Sequence, residues 1–419
     1  MDETGLNALA GWVTEAGLIG RTEEELMAGF CSRLTDAGVP LARAIVILDT
    51  LHPIYEGRAF RWRSDISQTA EVVEYGRTNE GEAAENWRRS PFFQLLQSGE
   101  RGLRRRLAAG DPADFPTIAQ ARDEGMTDYL ALVHRFAAEG IIGEMDCVYS
   151  SWTTDAPRGF DEDAAVALKR LAPFLELALK SAALARMAGT LAETYLGRDP
   201  GRRVMSGRIM RGVAERIGAV LWYSDLHGYT QISDSVPPEQ IIPLLNDYAD
   251  VVVSAVHKHG GDVLKLIGDG TLAIFTGEEF ERTALSALAA AAGMRNAVAK
   301  LNGSRARAGQ PTTQVYLALH IGDVFYGNVG GKDRLDFTVI GPAVNEVSRI
   351  LAMSRSVERD VLLSSSFADA LGPEIRSRMV SVGRYALRGV AQPQELFTPE
   401  PGFEISQDKQ PSRGSVRLP

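Results

Sequence analysis

Cysteine is almost absent from this chain: two residues, Cys31 and Cys147, in 419. They build no disulfide framework and no thiolate metal cage, and they suit a reducing, cytoplasmic compartment. Histidine is scarce too, six in all. His257 and His259 lie close together, but at the end of an expected helix they read first as a solvated pair near its negative pole. No apolar run approaches the roughly 20 residues of a membrane-spanning helix. The longest, Ala284–Met294, is Ala-rich and reads as a core helix, so no membrane partner is expected. A basic excess is missing: 45 Lys and Arg face 54 Asp and Glu, net −9, which argues against nucleic acid as a partner. The first residues are acidic, unlike a secretory signal. A phosphate loop is missing as well. Gly331-Lys332 resembles its end, yet Asp333 follows and position 326 is Tyr.

What is present is a chain with 45% hydrophobic and 24% charged residues, the balance of a globular protein, and long enough for two domains. The stretch Asp262–Phe275 (DVLKLIGDGTLAIF) is two short apolar runs joined by Asp-Gly, a strong hairpin signal. Asp269 falls at its tip, where a plain turn-former would also stand. A second apolar run, Ala219–Asp225, ends on Asp225 beside a glycine-containing segment. Two carboxylates at strand ends, without a Cys/His cluster, suit hard cations such as Mg²⁺ or Mn²⁺. Paired ions roughly 3.5–4 Å apart are a standard clamp for displacement at phosphorus.

Three stretches in order, D-L-H-G-Y-T at 225–230, G-G-D-V-L-K-L-I-G-D-G at 260–270 and F-T-V-I-G-P-A-V-N-E-V-S-R at 337–349, resemble the catalytic domain of class III nucleotidyl cyclases. The resemblance spans residues 217–400. The expected order of strands and helices there, a βαββαβ core with additions, is ferredoxin-like, which agrees with that family's plan. The resemblance implies conversion of ATP to 3′,5′-cyclic AMP and pyrophosphate, with two Mg²⁺ or Mn²⁺ ions per site. It assigns the metal ligands to Asp225, Asp269 and the carbonyl of Leu226. Asn345 would orient the ribose, and Arg349, four residues on and on the same helical face, would offset charge on the α-phosphate. Lys265 and Thr338 would read adenine, with Asp336 a rival to Thr338. Arg388, in Leu387-Arg388-Gly389, would bind the triphosphate. Pro342 departs from the polar residue usual there, but proline suits a first helical turn. Because that family shares its sites between subunits, a homodimer is implied.

The N-terminal 1–185 runs helix, strands, a long polar middle (68–125), strands and a closing helix. That order resembles a GAF-type sensory domain, giving an overall α/β (α+β) expectation. Thr22 with Glu25 is a capping box, and Leu26, Phe30 and Leu34 share one helical face. Domains of this type bind small molecules or dimerise, so an unidentified small-molecule ligand is a candidate partner. The aromatics Trp62, Tyr75, Trp87 and Trp152, with His134, could line its pocket or be core. A turn is expected at 138–140. Residues 186–216 read as a helical and basic linker, solvated over Gly197–Gly212, and 401–419 as a disordered tail. Leu177, Leu184 and Leu191, seven apart, leave both a packed connector and a dimer stalk open. The alternative to an adenylate cyclase is a catalytically silent nucleotide-binding or dimerisation module. A diguanylate cyclase is argued against, since Gly260-Gly261-Asp262 continues as Val-Leu.

Overall fold

The computed structural model describes residues 1–66, 69–136, 142–143, 145–390 and 392–403. The chain divides into two compact units, Met1–Leu191 and Ala192–Pro419. The turn expected at 138–140 and most of the tail expected at 401–419 lie outside the described residues.

The first unit begins with helices α1 (Glu3–Leu18) and α2 (Glu23–Asp36), then strands β1 (Arg43–Asp49), β2 (Gly57–Arg63) and β3 (Glu71–Tyr75). Short helices α3 (Gly81–Arg88) and α4 (Pro91–Ser98) precede β4 (Gly102–Arg105), α5 (Pro116–Asp123), β5 (Asp128–Arg135) and β6 (Cys147–Thr154). The 35-residue α6 (Glu162–Leu196) closes it and runs into the second unit. The polar middle at 68–125 therefore holds two strands that the sequence reading missed. Both are short edge strands of an antiparallel sheet ordered β3-β2-β1-β6-β5-β4, with little apolar alternation to mark them.

Alternation along β1 and β6 decides the two faces. Val46, Phe60 and Trp152 point to one side, where they pack with Phe30 of α2 and Leu168, Leu175 and Leu179 of α6. The Thr22–Glu25 capping box does form and starts α2. Beneath α6, a fully buried carboxylate ties strand to helix. Asp128 accepts from Arg104 Nη2 at 2.8 Å and from the Phe160 N–H at 3.1 Å.

In the second unit, α7 (Arg198–Met205) leads to β7 (Ala214–Leu226), α8 (Tyr229–Ser235) and α9 (Pro238–Lys258). Strands β8 (Asp262–Ile267) and β9 (Gly270–Phe275) form the hairpin, followed by α10 (Phe280–Arg307), β10 (Val315–Gly330) and β11 (Leu335–Ile340). Helix α11 (Pro342–Val357) precedes β12 (Val361–Ser364), α12 (Ser365–Ala370), α13 (Pro373–Arg376), β13 (Met379–Tyr385) and β14 (Gln394–Pro399). The sheet order is β13-β14-β12-β10-β7-β9-β8, with β11 on β10. Within it, β10-β7-β9-β8 is antiparallel throughout, the strand order of a βαββαβ core. Helices α9 and α10 cover one face and α11 the other.

Strand β10 runs unbroken through Gly322. A Cβ there would meet Ala343 Cβ at 2.6 Å, so the glycine admits α11 onto the sheet. The 197–212 stretch is solvated only in part: Met205–Gly212 is exposed, while the first half is held against the sheet. Asp199 accepts from Tyr326 OH at 2.7 Å and Arg203 Nε at 2.6 Å, Arg203 also pairs with Glu215, and Asn328 Nδ2 donates to the Arg208 carbonyl at 2.7 Å. The arginines that read as a solvated run are partly spent on these contacts.

Removing one partner of a buried ion pair strands the other, so Asp128→Asn should lower the stability of the first unit by about 3–5 kcal/mol in urea unfolding. Arg63→Gln, which breaks an exposed pair with Asp65, should leave the same transition in place.

Candidate active site

Register brings the two acids together. Ser224 of β7 lies opposite Thr271 of β9, so Asp225 comes level with the β8–β9 turn that carries Asp269. Gly268 makes that turn with φ +64°. Gly270 keeps it close, since a Cβ there would meet the Ser224 carbonyl oxygen at 3.1 Å. The Asp269 carboxylate is hydrogen-bonded to Asp225 and accepts from the Leu226 N–H at 3.3 Å. Burial of Asp225, together with the bond to Asp269 and its charge, pushes the Asp225 carboxyl up to about 7. The pair borders a cavity of about 200 Å³, where Asn246 of α9 also stands. Asn246 was missed, because one polar residue on an amphipathic helix carries no signal of its own.

The donors fit a hard cation. Two like-charged carboxylates are held in contact at a strain visible in the raised Asp225 pKa, and every donor is oxygen. Among the described residues no group of three or more His, Cys, Asp and Glu could cage an ion. A cation here would draw its remaining ligands from water or phosphate, the usual habit of Mg²⁺.

Lys265 lies exposed on β8, and its ammonium is ion-paired with Asp336 of β11. Thr338 is two residues along the same strand face, opposite Gly327. The described contacts of Lys265 thus go to the rival acid and not to Thr338.

Asn345 and Arg349 stand on α11, exposed and half-buried respectively. Asn345, in the first turn of the helix, is far from the acids. The start of α11 packs on Gly322, opposite Ala219 in register, whereas Asp225 lies six residues further along β7. Six residues of strand is about 20 Å. At its other end the helix places Arg355 near enough to Asp225 to lower its pKa, and Asn345 to Arg355 is about 15 Å of helix. Arg388 is exposed in the loop between β13 and β14, followed by Gly389 at φ +77°.

The matches to known proteins fall in the second unit. Residues 214–398 match the family described as the adenylate and guanylate cyclase catalytic domain. The second unit therefore carries a cyclase catalytic domain. An uncharacterized protein of Mycobacterium tuberculosis is 35% identical over 208 residues, 48% of this chain and 37% of its own length. The adenylate cyclase of Anabaena cylindrica is 34% identical over 159 residues, 37% of this chain and 31% of that one. The matches thus span about a third of these relatives. Among solved structures, the adenylyl cyclase CyaB from P. aeruginosa is 23% identical with a TM-score of 0.42, covering 47% of this chain and 98% of that one. The guanylyl cyclase Cya2 is 25% identical with a TM-score of 0.40, covering 46% and 98%.

The raised Asp225 pKa has a sign that can be tested without substrate. A carboxyl whose folded pKa lies above its unfolded value favours the fold below about pH 4 and loses that contribution as pH rises through about 7. In EDTA, Asp225→Asn should therefore melt higher than the wild type at pH 8, with the gap narrowing toward pH 5, by differential scanning fluorimetry.

Proposed function

We propose that the protein is an adenylate cyclase that converts ATP to 3′,5′-cyclic AMP and pyrophosphate in a homodimer, under the control of its N-terminal unit. The observation that carries the dimer is the separation within one chain. Asn345 must touch the ribose whose oxygen attacks the α-phosphorus, and the acids must hold the cations at that same phosphorus. About 15 Å of α11 keeps the two sets apart in a single copy. A second copy supplies the missing half, giving two equivalent composite sites.

Asp225, Asp269 and the Leu226 carbonyl are the groups that would hold two Mg²⁺ or Mn²⁺ ions. Such ions neutralise the triphosphate and lower the pKa of the ribose 3′-hydroxyl. Asn345 orients the ribose, and Arg349 donates to α-phosphate oxygens as negative charge builds there. Arg388 faces solvent, free to meet the triphosphate tail. Lys265 donates to adenine N1, and the 6-amino group donates to an acceptor on β11, either Asp336 or Thr338. Guanine presents a donor at N1 and an acceptor at position 6, so it leaves these groups mispaired, a mismatch that can reach roughly 10⁴ in discrimination.

The antiparallel first unit, with helices on both faces, supports the GAF-like regulatory reading. Helix α6 supports the stalk. Leu177, Leu184 and Leu191 lie seven apart, and Phe174, Ser181, Ala188 and Tyr195 form a second seven-residue row on the same side. That side exposes 45% of Phe174 and 67% of Leu177, away from the core-facing Leu171, Leu175, Leu179, Ala183 and Met187, while Leu184 is half-buried against the edge of that core. Alternating rows of this spacing form the seam of a two-stranded coiled coil.

Purified protein with ATP and Mn²⁺ should give cyclic AMP by mass spectrometry, and GTP should give far less cyclic product. A silent module would give neither. Asn345→Ala should lower kcat about 10²–10³-fold. Mixing inert Asp269→Ala and Asn345→Ala chains should restore activity, and no complementation would rule out shared sites. Leu177→Glu, at an exposed seam position, should shift sedimentation toward the monomer.

A further inference from the structure

The first unit has a cavity that the cyclase chemistry does not use. It measures about 640 Å³ and lies over the sheet face opposite α1, α2 and α6. That volume falls in the range of ligand pockets, roughly 300–1,000 Å³. Its floor is one pleat face: Ile45 and Ile47 of β1, Ala59 of β2, and Ser151 and Thr153 of β6. Phe92 and Met126 wall it.

Most polar groups around it are already paired with one another. The Tyr129 hydroxyl is hydrogen-bonded to Ser151 and Thr117, and Thr153 Oγ1 donates to the Arg43 carbonyl at 3.4 Å. Arg43 is ion-paired with Glu124, which also accepts from Gln120 at 2.9 Å, and Arg63 forks onto Asp65 at 2.7 and 3.0 Å. Arg61 and Glu71 are exceptions. Arg61 lines the cavity and makes no hydrogen bond or ion pair among the described residues. Glu71 stands opposite it in register without pairing. With Arg43 matched by Glu124 and Arg63 by Asp65, Arg61 is the one arginine of the lining left open to a ligand.

An apolar chamber whose polar walls are mostly paired, with one open planar fork, has a definite chemical complement. We propose that this cavity binds a small organic carboxylate with an apolar body, its head held bidentately by Arg61. A guanidinium fork matches a carboxylate plane. The mostly paired walls offer little to the polar edges of a nucleobase or sugar, and a polyanion would be repelled by Glu71 beside Arg61. Only the ligand's control of catalysis rests on the regulatory reading above; binding itself does not.

Isothermal titration of the full chain, in EDTA and without ATP, separates the two questions. Phenylacetate and hexanoate should each bind saturably at one per chain, and the neutral amide phenylacetamide at least tenfold more weakly. Arg61→Gln, an exposed change expected to melt like the wild type, should weaken both acids at least tenfold. If it melts early, Arg61→Lys keeps the charge without the fork and should weaken them several-fold. The inference is overturned if neither acid binds, if amide and acid bind alike, if the Arg61 variants bind as tightly as wild type, or if cyclic AMP binds more tightly than the acids. Because no turnover is measured, any of these results leaves the cyclase reading untouched, and an inactive cyclase would leave the binding result standing.

Discussion

Two carboxylates forced into contact are the constraint around which the second unit is arranged. Asp225 and Asp269 repel, and the fold holds them together anyway through β7–β9 register and a tight glycine turn. The cost is stored as a proton that Asp225 keeps up to about pH 7. The proposed divalent cations would relieve the repulsion that the backbone imposes on this half-buried pair. The raised pKa, the all-oxygen donors and the small adjoining cavity are three views of one arrangement.

The same sheet keeps Asn345 and the acids apart within one copy. The acids sit at one end of β7, while the helix bearing Asn345 starts from the other end, where Gly322 lets it in. Packing a straight helix along a strand fixes both ends at once, so no local adjustment could bring Asn345 back to Asp225. Under the proposed reading, association of two copies would complete the site. Helix α6 buries one face in the core of the first unit and exposes Phe174 and Leu177 on another. Its base is pinned by Asp128, Arg104 and Glu162. The segment after it is no passive tether, since Asp199, Arg203 and Tyr326 bind it to the catalytic sheet.

Much of the catalytic half was legible in the chain. The Asp-Gly hairpin, the apolar run into Asp225 and the i, i+4 pair Asn345/Arg349 are local patterns, and local patterns survive without tertiary knowledge. The partner of Lys265 was harder. Asp336 and Thr338 share a strand face, so periodicity could not choose between them, and the ion pair to Asp336 appears only once β11 is laid beside β8. The first unit was legible in order and not in detail. Its edge strands β3 and β4 are short and polar, and an edge strand with one neighbour needs no continuous apolar alternation.

The sequence by itself determined the residue chemistry: hard oxygen donors, a basic and amide pair on one helix, no thiolate framework, no long apolar span. Each of these follows from residue type and near spacing. The tertiary structure decided proximity: that Asp225 and Asp269 touch, that Lys265 meets Asp336, that Asn345 stands a helix-length away, and that Arg61 opens into a chamber. Contacts between residues far apart in the chain depend on strand register and helix packing, and a one-residue shift in register would turn every such side chain to the opposite face.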